Sequence, residues 1–216
     1  MKNSLFFILI LVVAVACTKD NVKGSGTVKM ETRNLTNFQA VEISGASNAY
    51  IQQNNSYGVA VKAYENLLPH FETKVAGQKL MAGYKAKTNV KNDNAELYVD
   101  VPFLNSVTTS GSGSLYLEGS FTSQNFMATT SGSGNIDLPM GNVENLVVKT
   151  TGSGKVNGFD FIARNADVTI NGNGHVQVQV SGKLNVQITG SGNVYYKGNP
   201  ANISSQITGS GKIIKH

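Results

Sequence analysis

The stretch TTSGSG at residues 108–113 decides the fold, because the same six letters return at 129–134. Looser copies of the stretch follow: TTGSG at 150–154, NGNG at 171–174, and TGSG at 189–192 and again at 208–211. The first glycines of the six copies are 21, 20, 20, 18 and 19 residues apart. A period near twenty is typical of solenoids, in which each coil covers the core of its neighbour.

Apolar residues keep a fixed register with these glycines. Four residues after each first glycine stands a branched aliphatic residue: Leu115, Ile136, Val156, Val176, Val194 and Ile213. Positions two, four and six residues before the glycine are mostly apolar and alternate with polar residues, as in strands with one buried face. The sequence therefore predicts an all-β, single-stranded parallel β-helix-like solenoid, whose coils of about 20 residues stack roughly 4.8 Å apart.

The repeated glycines are predicted to form sharp corners, because glycine adopts backbone conformations that other residues resist. Hydroxyl groups of serine and threonine can bond the exposed backbone there, and we expect the threonine pairs of the first copies to pack their methyl groups in the core. We assign these residues as structural corners: Gly45, Gly111, Gly113, Gly132, Gly134, Gly152, Gly154, Gly172, Gly174, Gly190, Gly192, Gly209 and Gly211.

The register also extends toward the N-terminus. Gly45 has apolar residues at the same offsets, and Gly24, with Val28 and Met30 after it, lies another 21 residues upstream. We therefore expect the coil register to begin at Gly24 and the β-helix domain to span residues 24–216.

Residues 46–105 lack the glycine corner, whereas 106–216 carry the regular SGSG-type coils. We predict that 46–105 form irregular coils or an N-terminal cap continuous with the solenoid. A short helical turn is expected within ENLLPHFETKV at 65–75.

The first seventeen residues, MKNSLFFILILVVAVAC, have the pattern of an export signal: Lys2, an apolar stretch of twelve residues, and small residues before Cys17. The stretch is too short to span a bilayer as a helix. Its end resembles a bacterial lipobox, which implies cleavage before Cys17 and acylation of that residue. Residues 1–16 are then a lipoprotein signal peptide and 17–23 an anchor linker. Ordinary secretion, with Cys17 as a bystander, is the alternative.

Cys17 is the only cysteine, so an internal disulfide and a cysteine-based zinc site are excluded. The polar residues 18–21 behind it loosely resemble the export signals of Bacteroidetes surface lipoproteins. Charge does not favour nucleic-acid binding: the net charge is +5, and no run of lysine or arginine forms a stripe.

No catalytic or metal-binding constellation is predicted. From Gly111 onward the acids stand at unrelated offsets from the corners: Glu118, Asp137, Glu144, Asp160 and Asp167. Catalysis on polysaccharides needs clustered carboxylates with a base. The histidines His70, His175 and His216 are isolated, and we expect surface roles for them. We predict no enzyme, no cofactor and no metal.

Three segments resemble one known family: TRNLTNFQAVEISGASNAYI at 32–51, VKAYENLLPHFETKVAGQKL at 61–80 and LYVDVPFLNSVTTSGSG at 97–113. They look like the auto-transporter adhesin head family, often called the GIN domain, over roughly residues 24–216. The resemblance implies a right-handed β-helix, often carried on Bacteroidetes lipoproteins. It implies no catalytic or ligand residues.

These observations predict an outer membrane lipoprotein, facing either the cell surface or the periplasm, that is held in the membrane at Cys17. Its expected role is surface adhesion or contact with a glycan, an envelope protein or a host protein. The alternative is a periplasm-facing structural or sensory accessory lipoprotein that binds another envelope protein.

The tyrosines Tyr116, Tyr195 and Tyr196 could form an exposed aromatic strip suited to glycans. The alternative, which we favour, is simple alternation, with one ring pointing inward and the next lying on the surface. The uncapped end GKIIKH at 211–216 raises the hypothesis of homo-oligomerisation.

Overall fold

A computed structural model describes residues 20–216, so the predicted leader and Cys17 lie outside the described residues. The described chain is built almost entirely of strands. The elements are β1 (Asp20–Lys23), β2 (Val28–Thr32), β3 (Ala40–Gly45), β4 (Asn48–Gln53), β5 (Gly58–Tyr64), a 3₁₀ turn (Leu68–His70), β6 (Phe71–Ala76), β7 (Lys79–Tyr84), β8 (Thr88–Lys91), β9 (Glu96–Val101), β10 (Ser106–Gly111), β11 (Leu115–Glu118), β12 (Ser120–Gly132), β13 (Ile136–Asp137), β14 (Met140–Gly152), β15 (Lys155–Asn157), β16 (Phe161–Gly172), β17 (His175–Gly190), β18 (Asn193–Lys197), β19 (Asn202–Gly209) and β20 (Lys212–Lys215).

The strands stack into a solenoid with three parallel ladders. The first ladder precedes the glycine corners and joins β3, β10, the second halves of β12, β14, β16 and β17, and β19. The second follows the corners and joins β4, β11, β13, β15, the start of β17, β18 and β20. The third joins the first halves of β12, β14 and β16 to the middle of β17. The predicted β-solenoid with coils of about 20 residues is confirmed, and residues 106–216 form about six regular turns.

Register across the coils follows the glycines. Gly111 pairs with Gly132, and the pairing continues coil by coil to Gly209. The aliphatic column that begins at Leu115 is buried in every coil up to Val194, and Ile213 at its end is partly buried. The alternation of apolar and polar residues thus fills one continuous interior, and burial of this apolar area is the main favourable term in folding.

Strands from the 66-residue interval without a corner close the N-terminal end of the solenoid. β3 lies between β7 and β10, and β4 lies between β9 and β11, so β7 and β9 supply one further coil beneath them. Antiparallel strands then cover this coil: β6 on β7, β5 on β9, and β2 on β5. The expected helical turn is present as the 3₁₀ turn Leu68–His70. We call strands β2, β5, β6, β7 and β9 the cap.

The expected coil register at Gly24 is wrong. β2 pairs antiparallel with β5 instead of stacking parallel on a coil, and its side chains Val28 and Met30 are 49% and 60% exposed. The physical reason is that the chain at Gly24 is already bound elsewhere: its N–H donates to the carbonyl of Lys91, 2.8 Å away. A β-carbon on Gly24 would contact the carbonyl oxygen of Asn92, so close packing and not a corner explains this glycine.

At the C-terminal end, the last described coil is open. β19 pairs only with β17 and is exposed along its whole length, while β20 pairs only with β18. Ile203 and Ile207 occupy core columns but are 47% and 41% exposed, because no further described strand covers them. The two ends of the solenoid therefore differ, one being covered by antiparallel strands and the other being an open edge.

Candidate functional site

The glycine corners form a backbone ladder of their own. The carbonyl oxygen of Gly132 accepts hydrogen bonds from the N–H groups of Ser153 and Gly154, 2.8 and 3.1 Å away, and each of the six corner steps from Gly45 to Gly190 repeats the pattern. The first glycine of a corner needs a positive φ, as at Gly132 with φ 117°. The second has no room for a side chain, since a β-carbon on Gly134 would contact the carbonyl of Gly113.

All thirteen glycines assigned as corners lie at corners, and the backbone there is committed to neighbouring coils. One threonine of each expected pair is buried, namely Thr109, Thr130 and Thr150, whereas the other member of each pair is not. Thr109 and Thr130 donate their hydroxyl protons to the carbonyls of Gly113 and Gly134. The corners thus have a structural role, and the surface left for contacts with a partner lies in the outward columns.

A strip of three stacked tyrosines is the most distinctive outward feature. Tyr98, Tyr50 and Tyr116 are direct neighbours on β9, β4 and β11. Both pairs of adjacent rings have centroids 5.2 Å apart and planes inclined by 16°. All three side chains are partly exposed. We call these residues the tyrosine strip.

The aromatic strip considered from the sequence had the wrong members. Tyr195 lies in the same column as Tyr116 but in a distant coil, and Asp137 follows Tyr116 in the register. Tyr195 has His175 as its aromatic neighbour, with ring centroids 6.2 Å apart. Tyr196 packs against the core, as alternation predicts.

Carboxylates surround the tyrosine strip. The hydroxyl of Tyr98 donates to Glu96 at 2.8 Å, and Lys62 Nζ donates to the same carboxylate at 2.9 Å. The register places Asp100 beside Gln52 and Gln52 beside Glu118, so two further acids flank the rings. Coulomb repulsion from Glu96 opposes ionisation of Tyr50 and Tyr98, and Glu118 adds to this effect at Tyr50.

The pKa values at the strip shift in the corresponding directions. The hydrogen bond from Lys62 holds the pKa of Glu96 below its usual range, which keeps this carboxylate charged. Burial, followed by the charge of Glu96, raises the pKa of Tyr50. The hydrogen bond to Glu96 raises the pKa of Tyr98. These shifts keep the phenols of Tyr50 and Tyr98 protonated beside the charged carboxylate of Glu96 at neutral pH.

The stacked arrangement limits how the strip can bind. Tyr98 and Tyr116 cover the two faces of the Tyr50 ring, so only the ring edge and the hydroxyl of Tyr50 remain for a ligand. Such a surface forms hydrogen bonds and attracts positive charge, and tyrosine is among the residues that contribute most to binding at protein interfaces. The strip is suited to contact with another macromolecule.

Acids and histidines elsewhere in the solenoid are used in contacts between coils. Asn157 donates to Asp137, Arg164 pairs with Glu144 at 3.0 Å, and Asn185 donates to Asp167. His175 Nδ1 accepts the N–H of Asn193, and His216 stacks on Phe159. Among residues 20–216, no group of three or more histidine, cysteine, aspartate and glutamate side chains is placed to hold a metal ion.

An asparagine ladder that was not predicted from the sequence joins three coils. Asn145 Nδ2 donates to Asn125 Oδ1 at 3.0 Å, and Asn165 Nδ2 donates to Asn145 Oδ1 at 3.1 Å. Each of the three residues stands seven positions before the first glycine of its corner. Comparing residues at a fixed offset from the corner glycines, which identified the aliphatic column, would therefore also have identified these asparagines. Tyr50 and Tyr98 had no such pattern, because the strip crosses the irregular interval.

Within the described part of the chain, no helix has the length and apolar character needed to cross a membrane. The family model for "Putative auto-transporter adhesin, head GIN domain" matches residues 37–140 and 139–200. No curated protein matches the sequence.

Crystal structures of bacterial proteins share the fold. One is "a putative adhesin" from Bacteroides fragilis NCTC 9343, which is 16% identical, covers 90% of this chain and 100% of its own, and has a TM-score of 0.74. A "putative lipid binding protein" from Parabacteroides distasonis ATCC 8503 is 23% identical, with coverages of 91% and 100% and a TM-score of 0.63. "A putative adhesin" from Parabacteroides merdae ATCC 43184 is 21% identical, with coverages of 91% and 99% and a TM-score of 0.57.

Proposed function

We propose that this chain, which belongs to the auto-transporter adhesin head (GIN) domain family, is a non-enzymatic, lipid-anchored envelope protein that displays a rigid solenoid for adhesion. The observation that carries the proposal is the tyrosine strip, an outward surface of three stacked aromatic rings. Release of reducing ends from a bacterial or host glycan by the purified protein would contradict the non-enzymatic part.

The lipid anchor is supported by the leader and by the position of the single cysteine at its end. Several acyl chains on Cys17 would hold the protein at the membrane almost permanently, since each buried methylene contributes about 0.8 kcal/mol. Protease shaving of intact cells tests on which side of the outer membrane the solenoid lies. Loss of the chain while periplasmic markers survive supports adhesion, and full protection contradicts it.

The partner at the tyrosine strip is expected to offer hydrogen-bond donors or positive charge. Glu96, Asp100 and Glu118 around the strip disfavour an acidic partner, because like charges at an interface cost binding energy. Candidates are basic segments of host matrix or envelope proteins, and glycans bound through their hydroxyl groups.

A double substitution, Tyr50→Ala with Tyr116→Ala, tests the strip. Binding of the purified protein to host glycans and matrix proteins is expected to weaken at least tenfold, because two anchor side chains are removed. Tyr195→Ala, in the same column but remote from the strip, is the matched control. Equal binding by the double variant and the control would exclude the tyrosine strip as the contact surface.

A second candidate function is that of a periplasm-facing accessory lipoprotein that binds another envelope protein. The observation that favours it is the open edge of β19, whose eight residues are all exposed and carry no charge. Such an edge can accept a partner strand through main-chain hydrogen bonds. Protection of the chain in the shaving experiment would favour this function over adhesion.

A further inference from the structure

Strands β1 and β8 form a two-stranded ribbon separate from the main sheet. They pair in parallel from Asp20 with Thr88 to Lys23 with Lys91. Hydrogen bonds between the two strands continue at both ends of the ribbon, from the N–H of Asp20 to Lys87 O and from the N–H of Gly24 to Lys91 O. Asn66 Nδ2 donates to Lys23 O at 2.8 Å and fixes the ribbon to the rest of the protein. It is therefore an ordered surface of the folded protein.

The two faces of the ribbon differ. Val22 and Val90 point inward and pack against the core. Because side chains alternate along a strand, the opposite face carries Asn21 and Lys23 from β1 and Asn89 and Lys91 from β8. A hydrogen bond of 2.7 Å from Asn89 Nδ2 to Asn21 Oδ1 lies across this face. The outer face thus has amides and lysines and no carboxylate.

Lysines at the ribbon differ from the other cations of the N-terminal half. Among residues 20–101 there are nine lysines and arginines, and five of them form ion pairs with glutamates: Lys29, Arg33, Lys62, Lys74 and Lys79. In that described range the remaining four are exposed and lie without an ion pair on the ribbon or in the loop before it: Lys23, Lys85, Lys87 and Lys91. Against these four lysines the ribbon and the loop before it carry one acid, Asp20, so an excess of positive charge is concentrated there.

This place is next to the expected anchor. Cys17 precedes Asp20 by three residues, and three residues of chain reach at most about 11 Å. Attraction of lysines to an anionic membrane surface acts over a Debye length of roughly 8 to 10 Å. The anchor therefore keeps the ribbon lysines within the range where anionic head groups attract them.

We propose that the outer face of the β1–β8 ribbon rests on anionic lipid head groups, so that the capped end of the solenoid is the membrane-proximal end. The inference rests on the proposed lipid anchor at Cys17. Seven coil spacings separate β7 from β19, which places the open coil about 34 Å further along the axis. The tyrosine strip lies on the coils of β9, β4 and β11, so the partner that it contacts is itself close to the membrane surface.

Energy transfer on vesicles tests the orientation with the intact acylated protein. Because Cys17 is the only cysteine and is consumed by the anchor, an introduced cysteine is the only free thiol. Donor dyes are attached at Asn89→Cys on the ribbon and at Ser204→Cys on β19, and acceptor lipid is included in vesicles that contain phosphatidylglycerol. We expect at least threefold higher transfer from position 89 than from position 204. Equal transfer, or higher transfer from 204, overturns the orientation.

Charge variants test the contact itself. Lys23→Gln, Lys87→Gln and Lys91→Gln together are expected to lower the ratio of transfer from position 89 to transfer from position 204 at least twofold, to the ratio seen on neutral vesicles, because the solenoid can then tilt about its anchor. The matched control replaces Lys149, Lys155 and Lys183 by glutamine, which removes the same charge from the solenoid body, and is expected to leave this ratio unchanged. An unchanged ratio in the ribbon variant overturns the lipid contact.

Mass spectrometry of the purified protein separates the two proposals. An acylated protein with equal transfer from both positions overturns the orientation and leaves the anchor intact. A protein without an acyl chain at Cys17 overturns the anchor and the orientation together.

Discussion

Thr130 Oγ1 donates a 2.8 Å hydrogen bond to the carbonyl oxygen of Gly134 in the interior of the solenoid. In the next coil the register places Thr150 directly beside Thr130, with a side chain that is equally buried. The hydroxyl of Thr150 has no hydrogen-bond partner among the described residues. Two identical residues in one column thus have opposite effects on stability, because a buried polar group is costly unless it is bonded.

The first prediction concerns this pair. Thr130→Val is expected to lower the free energy of unfolding by about 1 to 2 kcal/mol, because the hydrogen bond to Gly134 is lost. Thr150→Val removes an unbonded hydroxyl and is expected to be neutral or to stabilise by up to about 1 kcal/mol. Urea unfolding followed by circular dichroism measures both. Equal losses in the two variants would show that the two hydroxyl groups are equivalent.

Corner glycines are expected to tolerate no side chain. Gly134→Ala places a β-carbon against the carbonyl of Gly113 in the coil below. Backbone cannot move aside as a side chain can, so we expect a loss of at least about 3 kcal/mol or failure to fold. Gly77→Ala is the control: its φ of 56° is strained, but open space surrounds it, and a loss of about 1 kcal/mol is expected. Thermal melting measures both variants. A smaller drop in melting temperature for Gly134→Ala than for Gly77→Ala would contradict the steric argument.

The asparagine ladder allows a similar comparison. Asn145→Ala removes the bonds to Asn125 and Asn165, and we expect a cost of about 1 to 2 kcal/mol. Asn202 stands at the same offset from its corner in the exposed last coil, with no side-chain hydrogen bond recorded in the described residues. Asn202→Ala is expected to change stability by less than about 0.5 kcal/mol. Unfolding midpoints in urea give the answer, and similar costs at both positions would count against the ladder.

Acid is expected to destabilise the cap through Glu96. The hydrogen bond from Lys62 lowers the pKa of Glu96 from its ordinary value of 4.5. A carboxylate with a lowered pKa in the folded state stabilises the protein above pH 4.5, and this contribution disappears as the pH falls through the lowered pKa. Glu96→Gln should therefore be less stable than the parent at pH 7 and nearly equal to it at pH 2. Urea midpoints across this range provide the measurement. A stability difference that does not change with pH would refute the linkage.

The open edge predicts self-association. Ile203 and Ile207 are exposed in the last coil, and β19 offers unpaired main-chain groups beside them. Light scattering of the purified protein is expected to show a concentration-dependent rise in mass, and Ile207→Lys is expected to suppress it. Met140→Lys, which changes a residue that is 71% exposed on the side of the solenoid, is the control. A parent protein that remains monomeric at high concentration would eliminate the oligomer.

The regular coils were predictable because each of their columns repeats. Val156, for example, has an equivalent four residues after every corner glycine, and the parallel register places all of these residues in one buried row. One sequence was enough, because neighbouring coils are neighbouring stretches of chain. The glycine corners were predictable for the same reason. The asparagine ladder also repeats at a fixed offset from the corners, so it could have been predicted in the same way.

The cap and the tyrosine strip were not predictable in the same way. Tyr50 contacts Tyr98 and Tyr116, which are 48 and 66 residues further along the chain. The strands β7 and β9 that lie beneath β3 and β4 leave no periodic pattern in the sequence. Their antiparallel partners, β6 on β7 and β5 on β9, do not follow the coil repeat. The Gly24 prediction failed for this reason: a matching spacing cannot show that the chain has reversed direction.

The position of β3 between β7 and β10 has a consequence for how the protein folds. Both neighbours of β3 follow it in the chain, so β3 has no partner until the chain has passed residue 84, and it is paired on both sides only after residue 111. Every later coil, in contrast, meets a finished edge and needs to close a loop of only about 20 residues. Short loops cost little entropy and close quickly. Folding is therefore expected to proceed in one direction, with slow nucleation at the cap followed by rapid addition of coils toward the C-terminus.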